Sequence, residues 1–345
     1  MVDIAVRRFC EEPAWHDAFA RSGTAEGSLA WFRTLASTTL APGEEAVVLE
    51  AKDGAGAPLA ILPLVRKGRA LRALTAPYTT RFAPALPEVD LAHLVGRRAA
   101  EFVDGVLQLD ALDCREPSMA AFAEGLEHSG LAVARYRHFG NWYEPVCDFD
   151  DYWRNRPSRL RTTVRRKLNQ APAVEFRCAR SPAELAAAFT GYEEVYRSSW
   201  KVPEPHAGFM PAMVKALGDE GLVRLGTMSL AGDVVAAQIW LLSGAKATIF
   251  KLAHRESAAA HSPGTLLTHW TARELIANDG IREIDFGRGD DAYKRDWLRL
   301  SRPRFGLVAT NMRSFAGMAA LLRQVLPTKL ARLIRGQSAA TQAYE

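Results

Sequence analysis

The chain has 345 residues, 48% of them hydrophobic and 24% charged, a balance that fits a folded protein of about two domains and excludes fibrous, collagen-like and disordered chains. Its formal charge of +5 is unevenly spread: residues 297–345 hold eight basic residues and one acid, while the remainder carries 36 basic against 38 acidic residues. A near-neutral body with a basic tail argues against a general nucleic-acid binder, whose basic footprint runs across the folded domain.

The start, MVDIAVRRFCEEPAW, carries acids and has no apolar core, so no signal peptide is expected; no uncharged apolar stretch reaches the roughly 18 residues of a membrane span. Cys10, Cys114, Cys147 and Cys178 show no pair at metal or redox spacing, which points to a reducing compartment without structural zinc. Residues 46–65, AVVLEAKDGAGAPLAILPLV, read as a strand, a Gly/Asp turn and a second strand. FVDGVLQLDAL then reads as a strand, SMAAFAEGLEHSG as a helix closed by glycine, and LAVARYRHFGNWYEPV as another strand. In SRLRTTVRRKLNQ, residues 158–170, Leu160, Val164 and Leu168 recur every four residues and form one stripe of a helix with Ser158 as cap and Pro172 beyond its end. The boundary between halves is placed here, near residues 150–175.

The second half runs helix (SPAELAAAFTGYEEVYRSSW), loop (KVPEPHAG), helix (FMPAMVKALGDEG), hairpin (residues 222–242), strand (AKATIFKLAH), loop (RESAAAHSPG), helix (TLLTHWTARELIANDG), strand (IREIDFG) and a polar segment (RGDDAYKRDW). Its hairpin repeats the pattern of residues 46–65 about half a chain later, which hints at two related α/β halves with a mixed sheet. No GxGxxG follows a strand, so this is not a Rossmann unit.

Two segments can carry chemistry. In HSPGTLLTHW, Pro263 and Gly264 form a tight turn and Thr265 begins a helix; exposed N–H groups at such a start can hold a phosphate, although an ordinary loop and cap has the same pattern. In EIDFGRGDDAYKRDW, strand alternation turns Asp285 away from Ile284 and Phe286, and Gly287 and Gly289 permit a turn presenting Arg288, Asp290, Asp291, Tyr293, Lys294 and Asp296. No calcium-loop pattern is present.

The stretch FKLAHRESAAAHSPGTLLTHWTARELIANDGIREIDFGRGDDAYKRDW resembles the GNAT-type acetyltransferase domain of the cellulose-biosynthesis acetyltransferase group, which is related to the FemAB transferases. The likeness covers about residues 150–310; a weaker one in residues 45–150, including LPLV and APYTTRFAP, implies tandem GNAT-like halves with mixed central sheets, FemAB-like. The expected division is 1–155, 156–310 and a basic amphipathic tail at 311–345. The resemblance implies an acyl donor, usually acyl-coenzyme A, and an amine acceptor. It places Ser262, Pro263, Gly264 and Thr265 at the donor pyrophosphate, and the pantetheine arm where strands part around Lys251–His254 and Glu283–Phe286. The Q/R-x-x-G-x-G/A signature of GNAT donor loops is not reproduced; SPG stands in that region.

Acyl transfer needs an uncharged amine, stabilisation of the carbonyl oxygen and a proton route to the leaving thiolate. Asp290, Asp291, His206 and His254 are the candidate bases, Tyr293 a hydrogen-bond donor and Lys294 a phosphate or acid ligand. None of the cysteines has a nearby base in sequence, which disfavours an acyl-cysteine route. Tyr196 and Trp200, one helical turn apart, with Glu204 in the proline-rich loop, are expected on the acceptor side, together with Asp285 and Arg288. Arg154, Arg156, Arg159, Arg161, Arg165, Arg166 and Lys167 form a basic segment for coenzyme phosphates or anionic lipid, or a plain solvated face. FAGMAALLRQVLPTKLARLIRGQ, divided by Pro327, can lie on an anionic bilayer.

These readings converge on a cytoplasmic acyl-coenzyme A-dependent N-acyltransferase, peripheral at the inner membrane face, needing no metal and acting on an envelope amine such as an amino sugar of a polysaccharide or glycolipid. The alternatives are a bacterial ceramide synthase acylating a sphingoid base, and a non-catalytic nucleotide- or coenzyme-binding membrane module. Nucleic acid is not an expected partner, though FemAB-like use of aminoacyl-tRNA stays open.

Overall fold

The computed structural model describes residues 2–9, 12–113, 115–170 and 173–311; the tail expected over 313–335 lies outside them, as do Cys10 and Cys114. In chain order the elements are β1 (Asp3–Arg8), α1 (Ala14–Ala20), α2 (Leu29–Thr38), β2 (Glu45–Lys52), β3 (Pro58–Lys67), β4 (Ala70–Ala73), α3 (Val89–Ala99), β5 (Val106–Asp113), α4 (Pro117–His128) and β6 (Ala132–Pro145). There follow α5 (Phe149–Arg154), α6 (Ser158–Gln170), β7 (Val174–Ala179), α7 (Pro182–Arg197), α8 (Phe209–Asp219), β8 (Val223–Leu230), β9 (Asp233–Ser243), β10 (Lys246–His254), α9 (Pro263–Asn278), β11 (Glu283–Arg288), α10 (Lys294–Trp297) and β12 (Leu300–Thr310).

Two compact units result. Among the described residues, the first comprises those within 2–22, Leu40–Phe139 and 303–311; the second comprises those within Gly23–Thr39 and Gly140–Arg302. The division therefore differs from the linear halves 1–155 and 156–310. α2 counts with the second unit because Trp31 is fully buried there, its ring edge-on to Phe209 at 5.5 Å and Phe250 at 5.9 Å. β12 counts mainly with the first because its residues from Arg304 to Thr310 pair with β5.

Each unit follows the same plan. In the first, β1, β2, β3 and β4 form an antiparallel meander, β4 pairs parallel with β5, and β5 pairs antiparallel with β12. In the second, β7, β8, β9 and β10 form the meander, β10 pairs parallel with β11, and β11 pairs antiparallel with β6. The two hairpins read from sequence are β2–β3 and β8–β9, at equivalent places in this plan. Pattern reading missed β4, which is four residues long, and α3, which buries Ala92, Val95 and Ala99.

The second unit positions the site. β9 buries Val235–Leu242 almost without interruption, as a strand covered on both faces must. Leu266, Leu267 and Leu275 of α9 pack in the same core as Trp240, Phe286 and Trp297. α7 starts at a capping box in which Ser181 and Glu184 satisfy each other's backbone N–H groups, with Pro182 in the first turn. α6 begins at Ser158 rather than after it, and its stripe is shorter than expected: Leu160 and Val164 are buried while Leu168 is exposed. Arg156, read as part of the basic surface, is instead buried and paired with Glu144 at 2.6 Å; Glu144 also holds Arg299 at 2.7 Å.

Candidate active site

β10 and β11 run parallel through three register pairs, Lys246–Thr248 against Glu283–Asp285. β10 then carries a bulge between Ile249 and Lys251, which bends a strand and sharpens its twist, and beyond it the two strands part. The parting therefore begins after Asp285, so Glu283 belongs to the paired portion rather than to the opening. A short 3-10 turn, Glu256–His261, separates β10 from α9.

Ser262 adopts the left-handed conformation (φ 54°), and Pro263 and Gly264 are already the first residues of α9 rather than a preceding turn. Pro263 has no N–H, Leu266 N–H bonds back to the Ser262 carbonyl at 3.1 Å, and no side chain caps the helix. The N–H groups of Gly264 and Thr265 thus have no intrahelical acceptor and carry the positive end of the helix dipole. A Cβ on Gly264 would sit 3.5 Å from the His254 ring and 3.6 Å from Leu252, so β10 ends directly against this helix start. The His254 ring also meets the exposed Trp200 ring at 4.4 Å, and its Nδ1 lies 3.2 Å from the Arg255 carbonyl. From the other side Lys167 of α6 donates to Ala260 at 2.5 Å, bracing the turn that leads into α9.

The segment after β11 folds as a braced turn. Gly287 (φ 59°) and Gly289 (φ 104°) take conformations that side chains resist, and Gly289 N–H bonds to the Gly140 carbonyl at 3.0 Å. Asp290 lies against Gly140, where a Cβ would come within 3.2 Å of its carboxyl carbon, and accepts from the Trp142 indole at 2.7 Å. Asp291 is exposed, and so is the Tyr293 ring. Lys294 does not point outward as a phosphate ligand: it is buried, donates to the carbonyls of Arg288 (2.7 Å) and Gly289 (3.3 Å), and pairs with Asp291 (3.3 Å). Burial lowers its pKa against the opposing pull of Asp291. Asp285 is likewise engaged within the protein. It is buried and accepts from Asn141 and Gly287 N–H at 2.7 Å each and from Arg302 at 2.6 Å, while Arg302 reaches Glu283 at 2.8 Å and lies over the Tyr143 ring. Arg288 ends β11 at the surface.

The acceptor-side expectations gather around a cavity of about 260 Å³ between α7 and α8, whose apolar wall includes Phe189, Tyr192, Tyr196 and Met210. Tyr196 donates to the Val202 carbonyl at 2.9 Å. Trp200 is not on the helix with it: Ser198 and Ser199 hydroxyls bond back to the carbonyls of Glu194 and Tyr196, ending α7 at Arg197. Lys251, expected at the donor, is paired at 2.6 Å with Glu204, expected at the acceptor. His206 supplies the carbonyl that receives Phe209 N–H at the start of α8. Sequence reading missed Lys201, which lines the cavity, and Trp142, which orients Asp290; the available signal was their place in the loop after α7 and in the aromatic run FGNWYEP. Burial pushes the Cys178 thiol up to about 11, which disfavours its thiolate.

The first unit repeats the parting but fills it. β4 and β5 pair over Ala70–Arg72 and Val106–Gln108 only; then Phe82 N–H bonds to Ala111 at 3.0 Å and Ile61 N–H to Ala85 at 2.8 Å. Tyr78, Phe82, Ala83 and Leu86 are buried there. Among the described residues, no group of three or more His, Cys, Asp or Glu has a metal-holding arrangement, and no helix is long and apolar enough to cross a membrane.

Residues 158–295 match the family model of the acetyltransferase (GNAT) domain. No curated protein matches the chain. Among solved structures it is similar to FemX at 12% identity, covering 91% of this chain and 98% of that one with a TM-score of 0.61. It is similar as well to the C-terminal domain of a putative lysylphosphatidylglycerol synthetase from Agrobacterium fabrum, at 14% identity, 89% and 94% coverage and a TM-score of 0.59. A third is L-PGS from Bacillus licheniformis, at 10% identity, 90% and 96% coverage and a TM-score of 0.52. Such identities speak for the fold, which is a tandem of two GNAT-like halves. The specific resemblance to the cellulose-biosynthesis group has no counterpart among these matches; the match to an acetyltransferase (GNAT) domain lies at 158–295, within the second unit.

Proposed function

We propose, from the premise of a GNAT-type acyltransferase domain at residues 158–295, that the protein is an acyl-coenzyme A-dependent N-acyltransferase acting on an amine of the cell envelope, an amino sugar or a lipid amine. The observation that carries this reading is the uncapped start of α9 at Gly264 and Thr265 beside the opening between β10 and β11. Two backbone donors at a positive helix end suit a pyrophosphate, and an opening between strands suits an extended arm. The acceptor nitrogen bonds to the thioester carbonyl carbon as the C–S bond breaks. Asp290, held by Trp142, and the exposed Asp291 offer carboxylates for the amine proton, directly or through water. His254 borders the donor side against Gly264. No step calls for a metal.

The exposed basic face of α6 supports a peripheral position on an anionic membrane: Arg161, Arg165 and Arg166 make no ion pair among the described residues, and α6 contains no acid. The test of the function is thiol release from acetyl- and long-chain acyl-coenzyme A with a panel of amino sugars, sphinganine and small amines, with products identified by mass spectrometry. Amine-dependent release with an N-acylated product is expected. A folded protein that neither binds coenzyme A nor acylates any of these amines refutes the reading.

A further inference from the structure

The cavity between α7 and α8 has charged walls as well as apolar ones: Glu193 and Arg197 of α7, and Lys201 and Glu204 of the loop that follows. These charges are not balanced locally. Glu204 is engaged by Lys251 at 2.6 Å, so its carboxylate is already matched by a lysine other than Lys201. Glu193 is exposed on α7, one turn before Arg197. Lys201 makes no ion pair within 4 Å among the described residues, and its ammonium lies over the Trp200 ring, 5.7 Å from the centroid. Burial and the charge of Lys251 both lower its pKa, while Glu204 and Asp291 oppose them. A cation held half-buried beside another cation is a cost that a bound anion offsets.

Two details narrow the ligand. Arg197, at the end of α7, and Lys201, in the loop after it, both line the cavity, so its wall carries two cations. Glu204 of the cavity wall reaches Lys251 of β10, just past the three register pairs with β11, which puts this end of the cavity beside the opening between the two strands. A volume of about 260 Å³ accommodates a phosphate or carboxylate with a few carbons.

We propose that this cavity binds an acidic group, carboxylate or phosphate, carried by the acceptor close to its reacting amine, with Lys201 and Arg197 gripping it. The inference rests on the N-acyltransferase reading and names its acceptor class: an amine with a neighbouring acid. The full chain is assayed on matched acceptors differing only in the acid, glucosamine against glucosamine 6-phosphate, ethanolamine against O-phosphoethanolamine, and serinamide against serine; the phosphate and carboxylate arms separate the two sources. The acidic member should show a KM lower by roughly tenfold or more, as loss of a charge-assisted hydrogen bond implies, with similar kcat. Lys201→Met and Arg197→Met should each reduce this advantage, and Lys201→Arg should keep it, with coenzyme A affinity unchanged in all three. Calorimetry with O-phosphoethanolamine, serine and inorganic phosphate, without donor, supplies a readout independent of turnover. Equal KM within every pair, or an advantage that survives the Lys201→Met/Arg197→Met double variant, overturns the proposal. If no amine is acylated, the N-acyltransferase reading fails; binding of these anions that Lys201→Met abolishes still supports the subsite, and its absence overturns it.

Discussion

Replacing Asp285 by alanine distinguishes a substrate ligand from a structural brace. Its carboxylate accepts three hydrogen bonds, from Asn141, Gly287 N–H and Arg302, at 2.6–2.7 Å, and its side chain is almost wholly buried. Alanine removes both acceptor oxygens, leaves these three donors without them, and leaves the buried Arg302 with Glu283 as its remaining acidic partner. Removing one member of a buried ion pair costs about 3–5 kcal/mol, a large part of the roughly 5–15 kcal/mol that holds a domain together. Asp285→Asn keeps the shape but weakens the bond to Arg302, at about 1.5–3 kcal/mol. Urea unfolding, with the slope checked for constancy, reads both values. A loss below about 1 kcal/mol in Asp285→Ala, accompanied by loss of acceptor binding, refutes the brace and restores the substrate role that strand alternation suggests.

The His269 ring is set between Phe149 and Trp153, and burial, with Arg273 adding to it, pushes its pKa down to about 4. Its neutral form therefore stabilises the fold fully above its ordinary value near 6.5, and this contribution is lost as pH falls from 6.5 toward 4, up to about 3 kcal/mol. His269→Phe should flatten the stability profile in that window; an unchanged slope between pH 6.5 and 4 refutes the assignment. At Gly264 a Cβ meets only ordinary contacts, so Gly264→Ala should bind coenzyme A nearly as wild type, while the added methyls of Gly264→Val crowd His254 and Leu252 and should weaken binding about tenfold or more with the fold retained. Unchanged affinity for a folded Gly264→Val, measured by calorimetry, removes the donor from this helix start. Because residues 74–86 fill the first unit's parting, calorimetry should also give one coenzyme A per chain, and two would show that both units bind it.

Much of the plan was legible before any coordinates, for reasons that are local. Apolar runs broken by Gly/Asp turns determine the β2–β3 and β8–β9 hairpins, and Thr265 reads as the start of a helix that in fact begins two residues earlier at Pro263, which needs no N–H partner. Gly287 and Gly289 mark a turn only glycine enters easily. What tertiary structure decided are the partners of charged groups, since an arginine or aspartate looks the same in sequence whether solvated or buried. Asp285 meets Asn141 from 144 residues away, Arg156 meets Glu144 and turns inward, and Lys294 spends its charge on carbonyls of its own turn. The same holds for α2 and β12, whose units are chosen by the burial of Trp31 and by pairing with β5. Local pattern selects an element's type; long-range burial and desolvation select which of its polar groups remain available for chemistry.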